Sequence, residues 1–222
     1  MNLNNFKKNF TLKALIIVIL SIFCCVQSVN AAELSEKTKQ IIAASVKNVS
    51  YTVTYTGKMN EKDTDGYTTV IKFNFKDADN YAIETVESTS FLSGKGREVS
   101  LNGEYWTYNP DMKDAIVTHK TNEYMARYKN VLKYMCDDRD KFEISESKSE
   151  NLIKVILKST LVKTTYIFTI DPQTSSIIEF SSKNDDIGAE CKGEFSGWNS
   201  GVDEQAFEKP SGIKTVTSDE VK

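Results

Sequence analysis

Few residues of this chain have the side chains and spacing that catalysis or metal binding would need. His119 is the only histidine among the 222 residues. A zinc site usually combines several His and Cys ligands at close spacing, and a catalytic triad places a nucleophilic hydroxyl or thiol beside the imidazole. Neither pattern accompanies His119. The sequence therefore predicts a surface histidine at a strand end, with no catalytic residue, metal site or cofactor.

Two short motifs look like ion-binding loops without their essential parts. Residues 63–66 (DTDG) begin like a calcium loop, but the third acidic ligand and the glutamate six residues after the glycine are absent. Residues 94–97 (GKGR) look like a phosphate loop without the spacing and the helix that would direct amides at a phosphate. Both motifs are better interpreted as turns.

An acidic run, Cys136-Asp137-Asp138-Arg139-Asp140, follows a predicted helix. Acids are unfavourable beside the negative end of a helix dipole. Such a placement is compatible with a solvated loop and with a binding site, and both interpretations stay open.

The N-terminus has the pattern of an export signal. Three lysines precede an apolar core at residues 14–26, and residues 29–31 (VNA) give small residues at the cleavage positions. We expect a signal peptide over residues 1–31, a mature chain that begins near Ala32, and an extracytoplasmic location.

Cysteine usage leaves two alternatives open. Cys24 or Cys25 would be the acylated residue of a membrane-anchored lipoprotein, but the bulky Phe23 before them makes a poor lipidation motif, so secretion without a lipid is favoured. Cys136 and Cys191 remain after cleavage. In an oxidising compartment they would form a disulfide, and otherwise they would be two buried thiols.

The charge of the mature chain excludes some partners. Removing residues 1–31 removes three lysines and no acid, which leaves 25 basic and 31 acidic residues and a net charge of −6. This balance argues against nucleic acid or an anionic membrane surface as the partner. Residues 32–222 show no linker or repeat, so we expect one domain; the oligomeric state is left open.

The elements that must position these residues are mostly strands. A helical period over Glu33–Asn48, with Ser35 as N-cap, changes at Val49–Thr56 to a strict alternation of apolar and hydroxyl residues. A second helix is predicted from an N-cap at Thr121 to Met135. Further strand patterns are Tyr67–Lys76, Asn80–Val86, Arg97–Leu101, Glu104–Tyr108, Ala115–Thr118, Phe142–Glu146, Leu152–Lys158, Thr164–Ile170, Ser176–Ser182 and Gly188–Phe195.

This pattern predicts a mainly β fold of the α+β class. About eleven short strands and two helices favour a curved antiparallel sheet that forms an incomplete barrel wrapped around the helices. Within the sheet, Asn102-Gly103 predicts a tight hairpin turn, because both central residues of a type I′ turn need positive φ.

Two blocks of the chain resemble the LolA/LolB family of lipoprotein-carrier folds. The first is the hairpin of residues 99–117 (VSLNGEYWTYNPDMKDAIV), and the second spans residues 166–213. Where carriers have a Lys-Arg-Pro segment that ends the second strand, this chain has Phe75-Lys76-Asp77. In the second block the family pattern falls on Asp171, Asp185 or Asp186, Gly188, Phe195, Val202, Phe207, Pro210 and Gly212.

The resemblance implies a LolA-like fold and a non-enzymatic role. Within the family, the chain is most similar to spore germination proteins, which implies a cell-wall (cortex) amidase as protein partner. The alternative is a carrier or sensor of lipid or lipoprotein acyl chains. For that role, six aromatic residues would line a concave apolar pocket, although they would equally serve as core: Tyr51, Tyr55, Phe73, Phe75, Trp106 and Tyr108.

Overall fold

The computed structural model describes residues 34–90, 94–110, 115–119, 131–149 and 151–218. The predicted signal peptide, including Cys24, lies outside these residues, as does the first part of the second predicted helix. In the part of the chain that is described, no helix combines the length and apolar character needed to span a membrane.

The first helix, α1, spans Glu36–Ala44. Ser35 is its N-cap as predicted, with the hydroxyl accepting a hydrogen bond from the Thr38 amide at 3.4 Å. The helix ends earlier than the sequence pattern indicated, because the chain turns at Asn48, whose φ of 50° is in the left-handed region, and then enters a strand.

Twelve strands follow, with one further α-helix among the described residues. The α-helix, α2, is Val131–Asp137, and short 3₁₀ helices lie at Arg139–Lys141 and Glu204–Phe207. The strands are β1 (Val49–Lys58), β2 (Tyr67–Phe75), β3 (Tyr81–Ser88), β4 (Gly96–Leu101), β5 (Glu104–Tyr108), β6 (Ala115–His119), β7 (Phe142–Ser149), β8 (Leu152–Ser159), β9 (Thr164–Asp171), β10 (Ser176–Asn184), β11 (Ala189–Ser200) and β12 (Lys214–Thr217).

All twelve strands form a single open sheet in the order β12-β6-β5-β4-β3-β2-β1-β11-β10-β9-β8-β7. The predicted fold class, a mainly β fold built on a curved and unclosed sheet, is confirmed. One detail differs: β12 was not predicted, and it pairs with β6 in parallel, so the sheet is mixed. Its four residues, KTVT, are too few to show an alternation. They also lie far from β6 in the sequence, so no local pattern indicates this pairing.

One face of the sheet, here called the inner face, carries α1 and α2. Ile41 and Ile42 of α1 and Leu132 of α2 belong to one buried cluster with side chains of β7 to β10, such as Val155 and Phe168. Val155 is fully buried and Phe168 is 2% exposed. Burying each such side chain stabilises the fold by about 1.5–3 kcal/mol, and this packing holds the helices against the sheet.

The opposite, outer face is covered over β3 to β6 by the C-terminal segment. Phe207 packs there in a buried cluster with Trp106. Lys76 fixes this segment by pairing with Glu204 at 2.6 Å and by lying 4.5 Å from the centre of the Phe207 ring. The C-terminal segment therefore buries the outer face of this half of the sheet.

A carboxylate from the edge strand β7 binds the start of α1. Glu146 Oε2 accepts a hydrogen bond from the Ser35 amide at 2.8 Å, and the Glu146 side chain is only 8% exposed. Burial by itself would raise the pKa of Glu146, but hydrogen bonds from Ser35 and Thr38 outweigh it and lower that pKa. Glu146 thus ties α1 to the sheet edge.

Candidate functional site

Tyr51 lies at the centre of an aromatic cluster on the inner face. The pairing of β1 with β2 places Tyr51 opposite Phe73 and Val49 opposite Phe75. The Tyr51 ring centre is 5.2 Å from that of Phe73 and 6.1 Å from that of Phe75. Tyr51 and Phe75 are buried, whereas Phe73 and Tyr55 are half-buried. Four of the six predicted aromatic residues therefore share the inner face and pack as core.

Trp198 completes this cluster and was not predicted as a site residue. Its ring centre lies 4.2 Å from that of Tyr51 and 6.1 Å from that of Phe195, and its Nε1–H donates to the Ile177 carbonyl at 3.0 Å. Phe195 and Trp198 are three residues apart and still pack in the same cluster, because the β1–β11 register shifts here and Gly197 has a φ of 65°. A glycine inside a strand pattern is the sequence signal for such a bulge.

Trp106 and Tyr108 lie on the outer face, so the prediction that all six aromatic residues share one concave face is wrong for these two. Trp106 is buried in the cluster with Phe207, and Tyr108 is half-buried beside it. The physical reason is that the C-terminal segment buries the outer face of β5 as well. An aromatic side chain is therefore favourable on either face of this strand.

Cys136 and Cys191 are both half-buried against the same cluster. The predicted disulfide between them stays a prediction, as does lipidation of Cys24. Burial raises the pKa of Cys191, although a hydrogen bond from Tyr67 opposes that rise. Burial also raises the pKa of Tyr67. A thiol kept protonated in this way is a poor nucleophile, which argues against a reactive Cys191.

His119 lies at the end of β6, as predicted, but is half-buried on the inner face rather than on the surface. Its Nε2 is hydrogen-bonded to the Thr107 hydroxyl at 3.1 Å, and its ring centre is 5.0 Å from that of Tyr105. Burial lowers the pKa of His119. On the same face Glu98 accepts a hydrogen bond from Tyr105 Oη at 2.8 Å. We interpret these residues as a polar layer within the inner face.

The DTDG motif forms the turn between β1 and β2, and its first carboxylate is used in the turn itself. Asp63 accepts from the Met59 amide at 2.9 Å and from the Gly66 amide at 3.1 Å. These backbone hydrogen bonds lower the pKa of Asp63. Among the described residues, no three His, Cys, Asp or Glu side chains converge as metal ligands would.

The acidic run at the end of α2 is partly neutralised by lysines. Asp137 pairs with Lys133 at 2.6 Å, one helical turn earlier, and Asp138 pairs with Lys141 at 2.5 Å. The 3₁₀ helix that follows is joined to the turn between β8 and β9, because Thr160 donates from its amide to the Lys141 carbonyl at 2.9 Å. The acidic run thus lies beside that turn.

Two open grooves are lined by described residues, and none of the six predicted aromatic residues lines either one. The first, of about 720 Å³, lies between the β1–β2 loop and the outer face of β9 to β11. Alternating charges cover its floor; Lys58 is 3.5 Å from Glu190 and Lys192 is 3.5 Å from Glu179. The second, of about 680 Å³, is lined by the end of α1, the β9–β10 turn and Trp198. Both grooves are open to solvent, and charged and hydroxyl side chains contribute to each lining.

Three large apolar side chains are exposed at one end of the sheet. Leu161 and Val162, in the β8–β9 turn, are 72% and 51% exposed, and Ile187, in the β10–β11 turn, is 54% exposed. The two turns are neighbours, since the Asp185 amide donates to the Lys163 carbonyl at 2.9 Å. We call Leu161, Val162 and Ile187 the turn surface. No sequence signal marks this surface, because isolated apolar residues in turns have no period.

No protein-family model matches the chain, and no curated protein matches it significantly. Among solved structures it is similar to an uncharacterised conserved protein from Thermus thermophilus, with 12% identity, 82% of this chain and 99% of that chain covered, and a TM-score of 0.49. It is also similar to MucB in the MucA/MucB complex of Pseudomonas aeruginosa. The identity is 8%, the match covers 82% of this chain and 64% of that chain, and the TM-score is 0.49. A third similar structure is a LolA superfamily protein from Nitrosomonas europaea. The identity is 8%, the match covers 79% of this chain and 99% of that chain, and the TM-score is 0.35.

Proposed function

We propose that this chain is an exported, non-enzymatic binding protein that acts by docking onto another protein. The observation that carries the proposal is the packing around Tyr51. There Tyr51 and Phe75 are only 4% and 0% exposed, so packing covers aromatic side chains that a carrier would present in an apolar cavity for its ligand. A binding module needs no such cavity and can use its core for stability alone.

The sequence resemblance gives this proposal a biological setting. Residues 32–222 would act as a single LolA-like domain of the GerS type, in the spore envelope, after removal of the signal peptide. The partner would be a cortex amidase of the CwlD type, which helps to generate the muramic-δ-lactam mark of spore cortex. The chemistry would then belong to the partner, in agreement with the use of the Asp63 carboxylate in hydrogen bonds of its own turn and with the raised pKa of the half-buried Cys191.

The test is co-purification of the exported chain with the cortex amidase of its own organism. We expect a stoichiometric complex on size exclusion with light scattering, and no saturable change when a fluorescent acyl probe is titrated into the same sample. Saturable probe binding without an amidase complex would reverse this conclusion in favour of a carrier.

One observation favours the carrier as a second candidate function. Tyr55, Phe73 and Phe195 are half-buried on the inner face and offer apolar surface next to the packed cluster. If an acyl chain lies there, Phe73→Ser should weaken acyl-probe binding, while Tyr108→Ser on the outer face should leave it unchanged. Equal behaviour of the two variants would count against the carrier.

A further inference from the structure

We propose that the turn surface is the docking site of the protein partner, and that the partner presents an apolar pocket with a basic rim. This inference rests on the proposed function, because it names the surface through which binding occurs. The described residues contain four exposed large apolar side chains, and three of them, Leu161, Val162 and Ile187, form the turn surface. Clustered exposed apolar residues are typical of interaction sites.

The turn that carries Leu161 and Val162 is held in place by hydrogen bonds. The amides of both residues donate to the Ser159 hydroxyl, each at 3.2 Å. The Val162 carbonyl accepts from the Thr164 amide at 2.7 Å. Because the backbone is fixed, the two side chains are presented to solvent with little further loss of conformational freedom on binding, which favours affinity.

The turn that carries Ile187 is fixed in a similar way. Asn184 Oδ1 accepts from the amides of Asp186 and Ile187, and Gly188 closes the turn with a φ of 65°. The Ile187 carbonyl also accepts from the Glu61 amide at 3.1 Å, which joins the β1–β2 loop to this turn. An ion pair between Lys163 and Asp186 at 2.8 Å links the β8–β9 and β10–β11 turns. Three connections of the sheet thus form one platform.

The charges around this platform indicate the kind of partner. Residues 59–66 hold three acids and one lysine, residues 160–163 hold one lysine, and residues 185–190 hold three acids and no base, which gives the three connections a net charge of −4 even though Lys163 pairs with Asp186. The acidic run that ends α2 lies beside the same turns through the contact of Thr160 with Lys141. An apolar centre with an acidic rim is complementary to an apolar pocket rimmed by Lys or Arg, since opposite charges at a rim favour association and like charges oppose it.

The same charges count against two other occupants. A second copy of this chain would bring one acidic rim against another, and an anionic bilayer would repel the rim of a protein whose mature form is already acidic. Self-association through this surface and insertion of the turns into a bilayer are therefore outcomes that would overturn the proposal.

The experiment compares two exposed isoleucines. Ile187→Ser changes the turn surface, whereas Ile178→Ser changes an isoleucine in β10 that is 36% exposed and lies away from the three turns. Binding of the exported protein to the cortex amidase is measured by calorimetry. We expect Ile187→Ser, and likewise Leu161→Ser, to raise the Kd at least about tenfold, Ile178→Ser to leave it unchanged, and binding to weaken with added salt. Circular dichroism checks that each variant is folded.

The outcomes separate the inference from the proposed function. If the amidase binds and the turn variants bind as well as the wild type, the turn surface is not the docking site, while the binding function stands. If the amidase does not bind, p-benzoylphenylalanine replaces Leu161 or Ile178 in the producing cells, and any protein crosslinked only from position 161 is purified and titrated with the same serine variants. A tenfold loss of affinity for that protein in the Leu161→Ser and Ile187→Ser variants then supports the turn surface as the docking site of a different partner. If no protein is crosslinked from position 161, or if the crosslinks lead only to lipid or to a second copy of this chain, the inference is overturned.

Discussion

Replacing Glu146 by Gln should destabilise the protein at neutral pH and do so progressively less in acid. The carboxylate accepts a 2.8 Å hydrogen bond from the Ser35 amide at the start of α1 and is almost fully buried. Hydrogen bonds to charged groups contribute about 1.5–3 kcal/mol, and a negative charge at a helix N-terminus about 0.3–1 kcal/mol more. Glutamine keeps one acceptor oxygen and removes the charge. We therefore expect Glu146→Gln to lower the free energy of unfolding by about 1–2 kcal/mol.

The pH dependence follows from the lowered pKa of Glu146. Because the folded state favours the charged carboxylate, its contribution is complete above the ordinary pKa of 4.5 and is lost as the pH falls through the lower folded-state value. Urea unfolding from about pH 7 to about pH 3, followed by tryptophan fluorescence, measures this. Trp106 reports on the outer face and Trp198 on the inner face.

Glu143 supplies the control for this prediction. It is an exposed glutamate in the same edge strand, so Glu143→Gln should change the free energy of unfolding by less than about 0.5 kcal/mol. Two results would refute the argument: equal losses for both variants at neutral pH, or a loss for Glu146→Gln that stays constant as the carboxyl group is protonated.

Three further measurements test other parts of the structure. Leu157→Ala should cost about 2–5 kcal/mol in urea unfolding because Leu157 is fully buried, whereas Leu161→Ala, at an exposed leucine, should cost almost nothing; similar losses would contradict the assigned burial. Gly188→Ala should cost about 1–2 kcal/mol, because Gly188 has a positive φ and a Cβ there would meet the Glu61 side chain; an unchanged unfolding midpoint would refute this. His119 should titrate below 6.5 by NMR, so its protonation should destabilise the fold as the pH falls through that range; a pKa above 6.5 would contradict its burial.

The strands were predictable because most of them bury one face. In β1 the strict alternation that begins with Val49 and Tyr51 predicted the strand start correctly, and Asn102-Gly103 predicted the β4–β5 hairpin, with φ values of 52° and 82°. Alternation assigns residues to two faces within a strand, but it does not say which face meets the helices.

The faces of Trp106 and Tyr108 could not be predicted for this reason. The C-terminal segment, with Phe207, covers their side of the sheet, and its position depends on contacts between residues more than a hundred positions apart, such as Lys76 with Glu204 and Lys209 with Glu104. The turn surface was unpredictable for a related reason. Its three residues come from two turns, and only the pairing of β9 with β10 brings those turns together.

The position of β1 at the middle of the sheet has a consequence for how the chain folds. β1 pairs on one side with β2, its neighbour in sequence, and on the other side with β11, which begins only at Ala189. The strands β1 to β6 can therefore pair with their neighbours in sequence. The other edge of β1 can pair only after β11, near the end of the chain, is available. Pairings between such distant strands make folding slow and leave an open strand edge that invites aggregation. The second edge of β1 therefore stays unpaired until residues 189–200 are available for pairing.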